Sequence, residues 1–220
     1  MNILIISQPK PWTDSLISLL SDEDYNLTVS SHCDSREIEH INPDWIFFFH
    51  WSERISPTIY SQHKCVTIHT GRLPLDRGGS PLQNQILMGV MSTRVNLIET
   101  TDPIDGGGIY CSSPLTLQGS ISDIWSAIAT ESASLIKKCV LENLKPVPQE
   151  GSPSVFSRVK NNKINFKEAR TLSHIYDQIR MVDDDSYPNP HVILDGYLLE
   201  FSRPKFTGDS IISDVKITRK

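Results

Sequence analysis

The sequence lacks several features that would assign a protein to a class at once. Its four cysteines stand far apart with no C-x-x-C pair, so we expect separate reduced thiols rather than a zinc knuckle or a disulfide framework. No apolar stretch reaches bilayer length, and the chain does not open with a basic segment followed by a long apolar run. These absences predict a soluble, cytoplasmic protein that does not engage a membrane.

Motifs for nucleotides, metals and nucleic acids are also missing. Neither G-x-G-x-x-G nor the P-loop pattern occurs, and the turn after the first apolar run, residues 7–12, has no glycine that would let a pyrophosphate approach. H-x-x-x-H and H-E-x-x-H are absent, so no metal is expected. The net charge of −5, with scattered basic residues, argues against a nucleic-acid partner.

What the sequence has is an alternation of short apolar runs with stretches of helical spacing. This alternation predicts an α/β fold with a doubly wound, mainly parallel sheet and helices on both faces. At 220 residues, one buried domain over 1–145 is expected, with a linker and a small C-terminal α+β extension over 146–220. The later predicted elements are a helix from Asp123 to about Leu144 capped by Ser122, a linker-like crossing over 145–162, a helix over 169–181, and a hairpin over 192–201.

Two titratable residues stand at the ends of predicted strands. His69 closes an apolar strand and opens an irregular loop, whereas a second strand, 93–100, runs into Asp105 and three glycines. Because open α/β sheets place their sites at the carboxyl ends of strands, His69 and Asp105 form the candidate pair. Each also has an ordinary interpretation: Asp105 as a plain turn carboxylate, and His69 as a strand-end histidine satisfied by a backbone carbonyl.

Together these residues and the motifs around them resemble the formyltransferase superfamily, which uses 10-formyltetrahydrofolate. The family pattern reads roughly N-x-H-x-S-x-L-P, then R-G-x-x-P, then D-x-G-x-I, and the resemblance covers about the first 145 residues. The matching positions here are Thr67, His69, Gly71, Leu73, Pro74, Arg77, Gly78, Pro81, Asp105, Gly107 and Ile109.

The chain departs from the family pattern at two positions, because Thr67 replaces the asparagine and Gly71 replaces the serine. The resemblance implies that His69 stabilises the oxyanion and that Asp105 orients it and accepts the amine proton. Thr67 through its hydroxyl, or Gln83 or Asn84, could supply the missing donor. The alternative is a catalytically degenerate nucleotide-sugar-binding protein of the same fold.

The resemblance also implies two binding regions. The pterin of the folate is expected between the loops 51–55 and 101–104, and the acceptor on the other side, with the glycine-rich loop as an anion cradle. Trp51 has an alternative as a core residue, and Lys10 as a solvated one. The expected folate contacts are Trp51, Ser52, Ile55, Thr101, Asp102 and Ile104; the expected acceptor contacts are Lys10, Arg77, Gly78, Gly79, Ser80, Gln83, Asn84 and Tyr187.

Within the superfamily, the resemblance favours the sugar N-formyltransferases. The tRNA-modifying branch carries a substantial basic C-terminal domain, which we do not expect in a chain of 220 residues with a net charge of −5. The purine-pathway branch has a glycine-rich phosphate loop after its first strand, which residues 7–12 do not form. The implied acceptor is a nucleotide-linked amino-deoxysugar of carbohydrate biosynthesis, as in pseudaminic-acid-type clusters: UDP-4-amino-4,6-dideoxy-N-acetyl-β-L-altrosamine. An aminoacyl-tRNA formyltransferase is the other alternative, and a homodimer through the aromatic segment 187–206 is compatible with the resemblance.

Overall fold

The computed structural model describes residues 1–21, 24–159, 163–166, 169 and 171–220. The chain divides into two compact units. Unit 1 comprises Met1–Gly79, Thr93–Leu115 and Ser126–Phe156, and unit 2 comprises Ser80–Ser92, Thr116–Trp125 and Ser157–Lys220. The predicted boundary between residues 145 and 146 stays a prediction.

Unit 1 contains a six-stranded sheet in the order β2-β1-β3-β4-β6-β7. Strand β1 pairs in parallel with β2 and β3, and β3 with β4, whereas β6 runs antiparallel to β4. The predicted α/β fold with a mainly parallel sheet is therefore confirmed. The strands are β1 (Asn2–Ile6), β2 (Asn26–Ser30), β3 (Trp45–Phe48), β4 (Cys65–Thr70), β5 (Arg77–Gly78), β6 (Ser92–Glu99), β7 (Ile109–Thr116) and β8 (Val155–Phe156), of which β5 and β8 pair separately.

The core of unit 1 follows from the continuous apolar runs of β1 and β3, which are buried on both faces as in other parallel sheets. Its first three helices are α1 (Pro11–Leu20), α2 (Ser35–Ile41) and α3 (Pro57–Gln62). Helix α1 begins at Pro11, where the missing N–H costs nothing, and Asp34 caps α2 by accepting from the backbone of Arg36 and Glu37.

The long helix α5 (Ile121–Leu141) is present, but its predicted cap was wrong. Ser120 and Asp123 form a reciprocal pair: the Ser120 Oγ accepts from the Asp123 amide at 3.1 Å, and Asp123 Oδ2 accepts from the Ser120 amide at 3.0 Å. The Ser120 hydroxyl and amide, which donate to the Asp123 carboxylate at 2.6 Å and 3.0 Å, lower the pKa of Asp123. Ser122 instead donates to Asp184 at 2.7 Å.

Unit 2 contains an antiparallel sheet in the order β11-β10-β9. Its elements are α4 (Pro81–Leu87), α6 (Leu172–Arg180), β9 (His191–Leu194), β10 (Tyr197–Phe206) and β11 (Ile211–Arg219). The predicted hairpin is present, with Asp195 and Gly196 at positive φ in its turn. Strand β11 was not predicted, and parts of the predicted 145–162 crossing and 169–181 helix (160–162 and Arg170) lie outside the described residues. Within those residues no helix combines the length and apolarity that crossing a bilayer requires.

Candidate active site

His69 and Asp105 lie side by side in unit 1. The imidazole is 5% exposed; its Nε2 lies 2.7 Å from the backbone oxygen of Asp76, and its Nδ1 lies 3.4 Å from Asp105 Oδ2. A carbonyl only accepts hydrogen bonds, so Nε2 carries a hydrogen. The Asp105 carboxylate faces the other nitrogen, so the imidazole is contacted at both of its nitrogens. The structure thus brings the predicted pair together.

His69 and Asp105 lie together for a different reason from the one that the sequence analysis gave. Strand β6 is antiparallel to β4, and its last residue, Glu99, pairs with Val66 near the beginning of β4. The carboxyl ends of the two strands therefore point in opposite directions, and the reasoning from parallel strands was wrong for β6. The loop that carries Asp105 instead folds back against β6: a Cβ on Gly107 would lie 1.9 Å from the Glu99 oxygen. Only glycine permits this close approach.

Gln149 holds the Asp105 loop in place. Its Nε2 donates to the backbone oxygens of Asp105 and Gly107, both at 2.8 Å. Its Oε1 accepts from Arg77 Nη2 at 2.7 Å and Nε at 3.1 Å. Asp105 Oδ2 also accepts from the Gly78 amide at 2.9 Å. Gln149 lies in the segment predicted as a linker, and no sequence pattern marked it.

We expect replacement of Gln149 by leucine to lower kcat/KM of any reaction that His69 and Asp105 catalyse by about 10–100-fold, since the loop loses bonds worth about 1–3 kcal/mol. Gln149→Glu keeps an acceptor for Arg77 but places a carboxylate against two carbonyls, so it should be similarly impaired. Steady-state kinetics test the loss, and hydrogen exchange of residues 101–108 tests its cause. Full activity with unchanged exchange would contradict the positioning role.

Asn96 is a second residue that the sequence analysis missed. It is 1% exposed and donates to the backbone oxygens of His69 at 3.2 Å and Gly71 at 2.8 Å. The signal in the sequence that could have identified Asn96 is its polar side chain inside the apolar run 95–98. Thr67, the predicted substitute for the family asparagine, shares a 2.9 Å hydrogen bond with the Thr100 hydroxyl, and its role as the oxyanion donor stays a prediction.

The loop after β4 lies directly against His69. A Cβ on Gly71 would approach His69 Nε2 and the Asp76 oxygen to 2.9 Å, so the serine of the family pattern has no room here without a shift. The buried Asp76 carboxylate accepts from the Arg72 amide at 2.9 Å and from its guanidinium at 2.7 and 3.1 Å. The hydrogen bonds to Asp76 raise the pKa of Arg72. This clamp keeps the Asp76 carbonyl on Nε2, the contact that the ordinary interpretation of His69 predicted.

The glycine-rich loop has fewer backbone amides directed at a potential anion than its sequence suggested. The Gly78 amide donates to Asp105, and the Gly79 amide donates to the Phe156 oxygen at 3.1 Å. Arg77, by contrast, donates to the neutral amide oxygen of Gln149, and within the part of the chain that the structure describes it forms no ion pair with a carboxylate. Arg77 is therefore the phosphate candidate that this segment of unit 1 retains.

The predicted acceptor residues of unit 2 are bound to one another or to nearby backbone. The Tyr187 hydroxyl accepts from Trp125 Nε1 at 2.8 Å and hydrogen-bonds with Gln83, and burial raises its pKa. Asn84 donates to the backbone oxygens of Ser80 and Ser157, both at 3.0 Å. Ser80 has φ 49° and accepts from the Val159 amide through its hydroxyl.

The two loops expected to hold the pterin are joined through Asp102. Its carboxylate accepts from Arg54 Nη2 at 3.2 Å and from the Tyr60 hydroxyl at 3.0 Å. Trp51 packs on Phe48 with ring centroids 6.3 Å apart, and its buried Nε1 has no hydrogen-bond partner among the described residues. The remaining predicted positions are Ser52, which is exposed, Ile55, which packs on the core, Thr101, which is partly buried, and Ile104, which is 62% exposed.

His50 lies beyond the carboxyl end of β3, near the predicted ligand Lys10. It has φ 48° and packs edge-on against Trp12 with ring centroids 5.3 Å apart. Burial, together with the Lys10 charge, lowers the pKa of His50 to about 4. The folded state therefore holds this histidine neutral at pH values where the unfolded chain, with a pKa near 6.5, takes up a proton.

Stability contributed by neutral His50 should be complete above about pH 6.5 and should fall as the pH drops toward 4, by about 3 kcal/mol at most. Urea unfolding between pH 4.5 and 7.5 measures this loss. His50→Asn, which tolerates positive φ, should flatten the dependence in that window. The exposed His40→Asn variant controls for removal of a histidine, and equal pH profiles of wild type and His50→Asn would contradict the expectation.

Comparison with known proteins agrees with this fold. Residues 160–218 match the family described as methionyl-tRNA formyltransferase, C-terminal domain. A methionyl-tRNA formyltransferase from Clostridium thermocellum superposes with a TM-score of 0.92 at 32% identity and covers 100% of both chains. HypX from Aquifex aeolicus in complex with tetrahydrofolic acid superposes with a TM-score of 0.79 at 18% identity, and the match covers 93% of this chain and 38% of that one. A 4-N formyltransferase from Francisella tularensis superposes with a TM-score of 0.67 at 14% identity, and the match covers 88% of this chain and 93% of that one.

The fold is thus one that formyltransferases share. The chain belongs to the formyltransferase family that includes the methionyl-tRNA formyltransferases. Curated methionyl-tRNA formyltransferases match at 25–28% identity, and the chain spans 45–63% of their length. The match over 160–218 overturns one expectation, because this segment does resemble the C-terminal domain whose absence had argued against the tRNA-modifying branch.

Proposed function

We propose that this protein transfers the formyl group of 10-formyltetrahydrofolate to a primary amine, with His69 and Asp105 as the catalytic residues. The observation that carries the proposal is the buried contact of 3.4 Å between His69 Nδ1 and Asp105 Oδ2. Asp105 Oδ1 accepts no hydrogen bond from the described residues. This oxygen is therefore free to take the proton that the attacking amine releases, directly or through a water, and such base catalysis contributes about 10²–10⁴-fold.

His69 would stabilise the negative charge that develops on the formyl oxygen. In the structure its Nε2–H is directed at the Asp76 carbonyl at 2.7 Å, so the same donor must change acceptor during the reaction. The change requires the loop from Gly71 to Asp76 to move away from the imidazole. Asp105 holds the ring through Nδ1 while this happens, and the loss of such an oxyanion donor typically costs about 10²–10³-fold.

Folate would bind against the loops joined by Asp102, and it would supply the activated formyl group. The buried Trp51 indole N–H, which has no hydrogen-bond partner among the described residues, and the exposed apolar side chain of Ile104 suit a flat heterocycle with polar edges. Thr101 and Asp102 offer acceptors for its amino groups. The tetrahydrofolate complex of HypX supports this choice of donor.

For the acceptor, we propose a nucleotide-linked amino-deoxysugar of the UDP-4-amino-4,6-dideoxy-N-acetyl-β-L-altrosamine type, as in pseudaminic acid biosynthesis. The net charge of −5 and the Arg77 guanidinium, which forms no ion pair with a carboxylate of the described residues, support a small anionic substrate over a polyanion. The four free cysteines agree with a cytoplasmic location. Methionyl-tRNA is the second candidate acceptor, favoured by the match of residues 160–218.

The test is a mass-spectrometric assay of the purified protein with 10-formyltetrahydrofolate and either UDP- and dTDP-linked amino-deoxysugars or methionyl-tRNA. Gain of one formyl group on a sugar is the expected result. Gain on methionyl-tRNA alone, with binding that weakens steeply with salt, would replace the sugar by the second candidate. Binding of nucleotide sugar without any transfer would overturn the enzymatic proposal and favour a degenerate binding protein.

A further inference from the structure

Asn96 holds the chain at the point where it leaves β4 and enters the loop that covers His69. His69 and Asn96 pair directly across β4 and β6, so their side chains lie on the same face of the sheet. The Asn96 side chain is buried, and its Nδ2 donates to the backbone oxygens of His69 at 3.2 Å and Gly71 at 2.8 Å, with a longer contact of 3.4 Å to the Arg94 oxygen. Carbonyls only accept hydrogen bonds, so these contacts require the amide nitrogen at this place.

Gly71 is the first residue of the loop after β4. A Cβ at this position would lie 2.9 Å from His69 Nε2, and without one the glycine backbone has more conformational freedom than that of any other residue. Strand β6 removes this freedom, because the Gly71 N–H donates to the Arg94 oxygen at 3.0 Å and the Gly71 oxygen accepts from Asn96. Both polar groups of the Gly71 backbone are therefore held by one strand.

The remainder of the loop is held together by its own contacts. The Asp76 carboxylate accepts from the Arg72 amide at 2.9 Å and from the Arg72 guanidinium at 2.7 and 3.1 Å, which makes the segment 72–76 a single body. Release of His69 Nε2 from the Asp76 carbonyl requires this body to turn about Gly71. The imidazole keeps its place only if the backbone of His69 and Gly71 does not follow.

We propose that Asn96 is a positioning residue for His69, which keeps the backbone of His69 and Gly71 on β6 while the segment 72–76 moves. The inference rests on the proposed function, because it takes His69 as the donor that changes acceptor during the reaction. Both short contacts of Asn96 are to backbone oxygens. Asn96 therefore acts on the place of the imidazole and not on its chemistry.

Asn96→Leu keeps a side chain of similar size and removes the amide. We expect the Gly71 N–H to exchange with solvent about 10–100-fold faster, and kcat for formyl transfer to fall by a similar factor, because two buried carbonyls lose a donor. Asn96→Thr suits a strand and keeps one donor, so its values should lie between those of wild type and Asn96→Leu. The threonine variant also provides the comparison if the leucine variant does not fold.

Thr93→Val is the matched control. Thr93 is buried on the same strand, and its hydroxyl has no hydrogen-bond partner among the described residues. Its replacement by the isosteric valine removes a buried polar group without removing a hydrogen bond, so both Gly71 exchange and kcat should stay as in wild type.

Hydrogen exchange resolved by NMR compares the Gly71 amide with the amides of β1 and β3, which report global unfolding. The second measurement is the NMR signal of the His69 Nε2–H, assigned by its absence in His69→Ala. We expect Asn96→Leu to lose this signal while the β1 and β3 amides exchange as in Thr93→Val. A general loss of stability would instead accelerate exchange in all of these strands.

Unchanged Gly71 exchange with an unchanged His69 ring signal in Asn96→Leu would overturn the proposal. Wild-type kcat in a variant whose Gly71 amide is released would overturn it as well. If the wild-type protein transfers no formyl group, the proposed function fails, and the exchange and the ring signal still decide whether Asn96 holds His69.

Discussion

Replacement of His69 by alanine is expected to lower kcat/KM for formyl transfer by at least about 10²–10³-fold, because the oxyanion loses its donor. Asp105→Asn should lower kcat/KM by a comparable factor. The asparagine side chain still accepts from the Gly78 backbone N–H, but it cannot take the proton of the attacking amine. The double variant should be scarcely worse than either single one, because residues that act as a unit are not additive.

The measurement is steady-state formyl transfer to whichever acceptor the assay identifies, with circular dichroism and thermal unfolding of each variant as the folding control. Thr67→Ala offers a matched comparison on the same strand, since its hydroxyl meets Thr100. A folded His69→Ala protein with more than a tenth of wild-type activity would remove His69 from the mechanism. A sharp loss in Thr67→Ala would instead favour the threonine as an oxyanion donor.

Gly107→Ala is expected to have the largest structural effect of any single methyl group added near the site. The new Cβ would lie 1.9 Å from the Glu99 oxygen and 2.8 Å from its carbonyl carbon, so the loop must move. We expect a loss of stability of about 2–3 kcal/mol. A displacement of about 1 Å at the neighbouring Asp105 should lower kcat by about 10²-fold.

Gly89→Ala is the matched control for Gly107→Ala. Gly89 has φ 71° with nothing within 4 Å of its added Cβ, so its cost is the conformational one alone, about 1–2 kcal/mol. Urea unfolding and activity of both variants separate the two causes. If Gly107→Ala were as active as Gly89→Ala, the close approach to Glu99 would not be what positions Asp105.

The two predictions rest on different sources of information. His69 and Asp105 were predicted from the sequence because a histidine and an aspartate at strand ends, within the motif order of a known family, are visible in the order of residues. Gly107 was visible only as one of three glycines. Its function depends on a contact with Glu99 that follows from the antiparallel direction of β6, and residue order does not specify that direction.

The sequence by itself determined the α/β alternation, the apolar strands β1, β3 and β4, the hairpin of β9 and β10, and the candidate pair, because apolar periodicity and turn residues are local signals. The contacts of Gln149 and Asn96 were decided only by the tertiary structure. Each depends on atoms that are distant along the chain, such as Gln149 and Arg77 or Asn96 and Gly71. Hydrogen bonds of this kind arise only when packing brings the segments together.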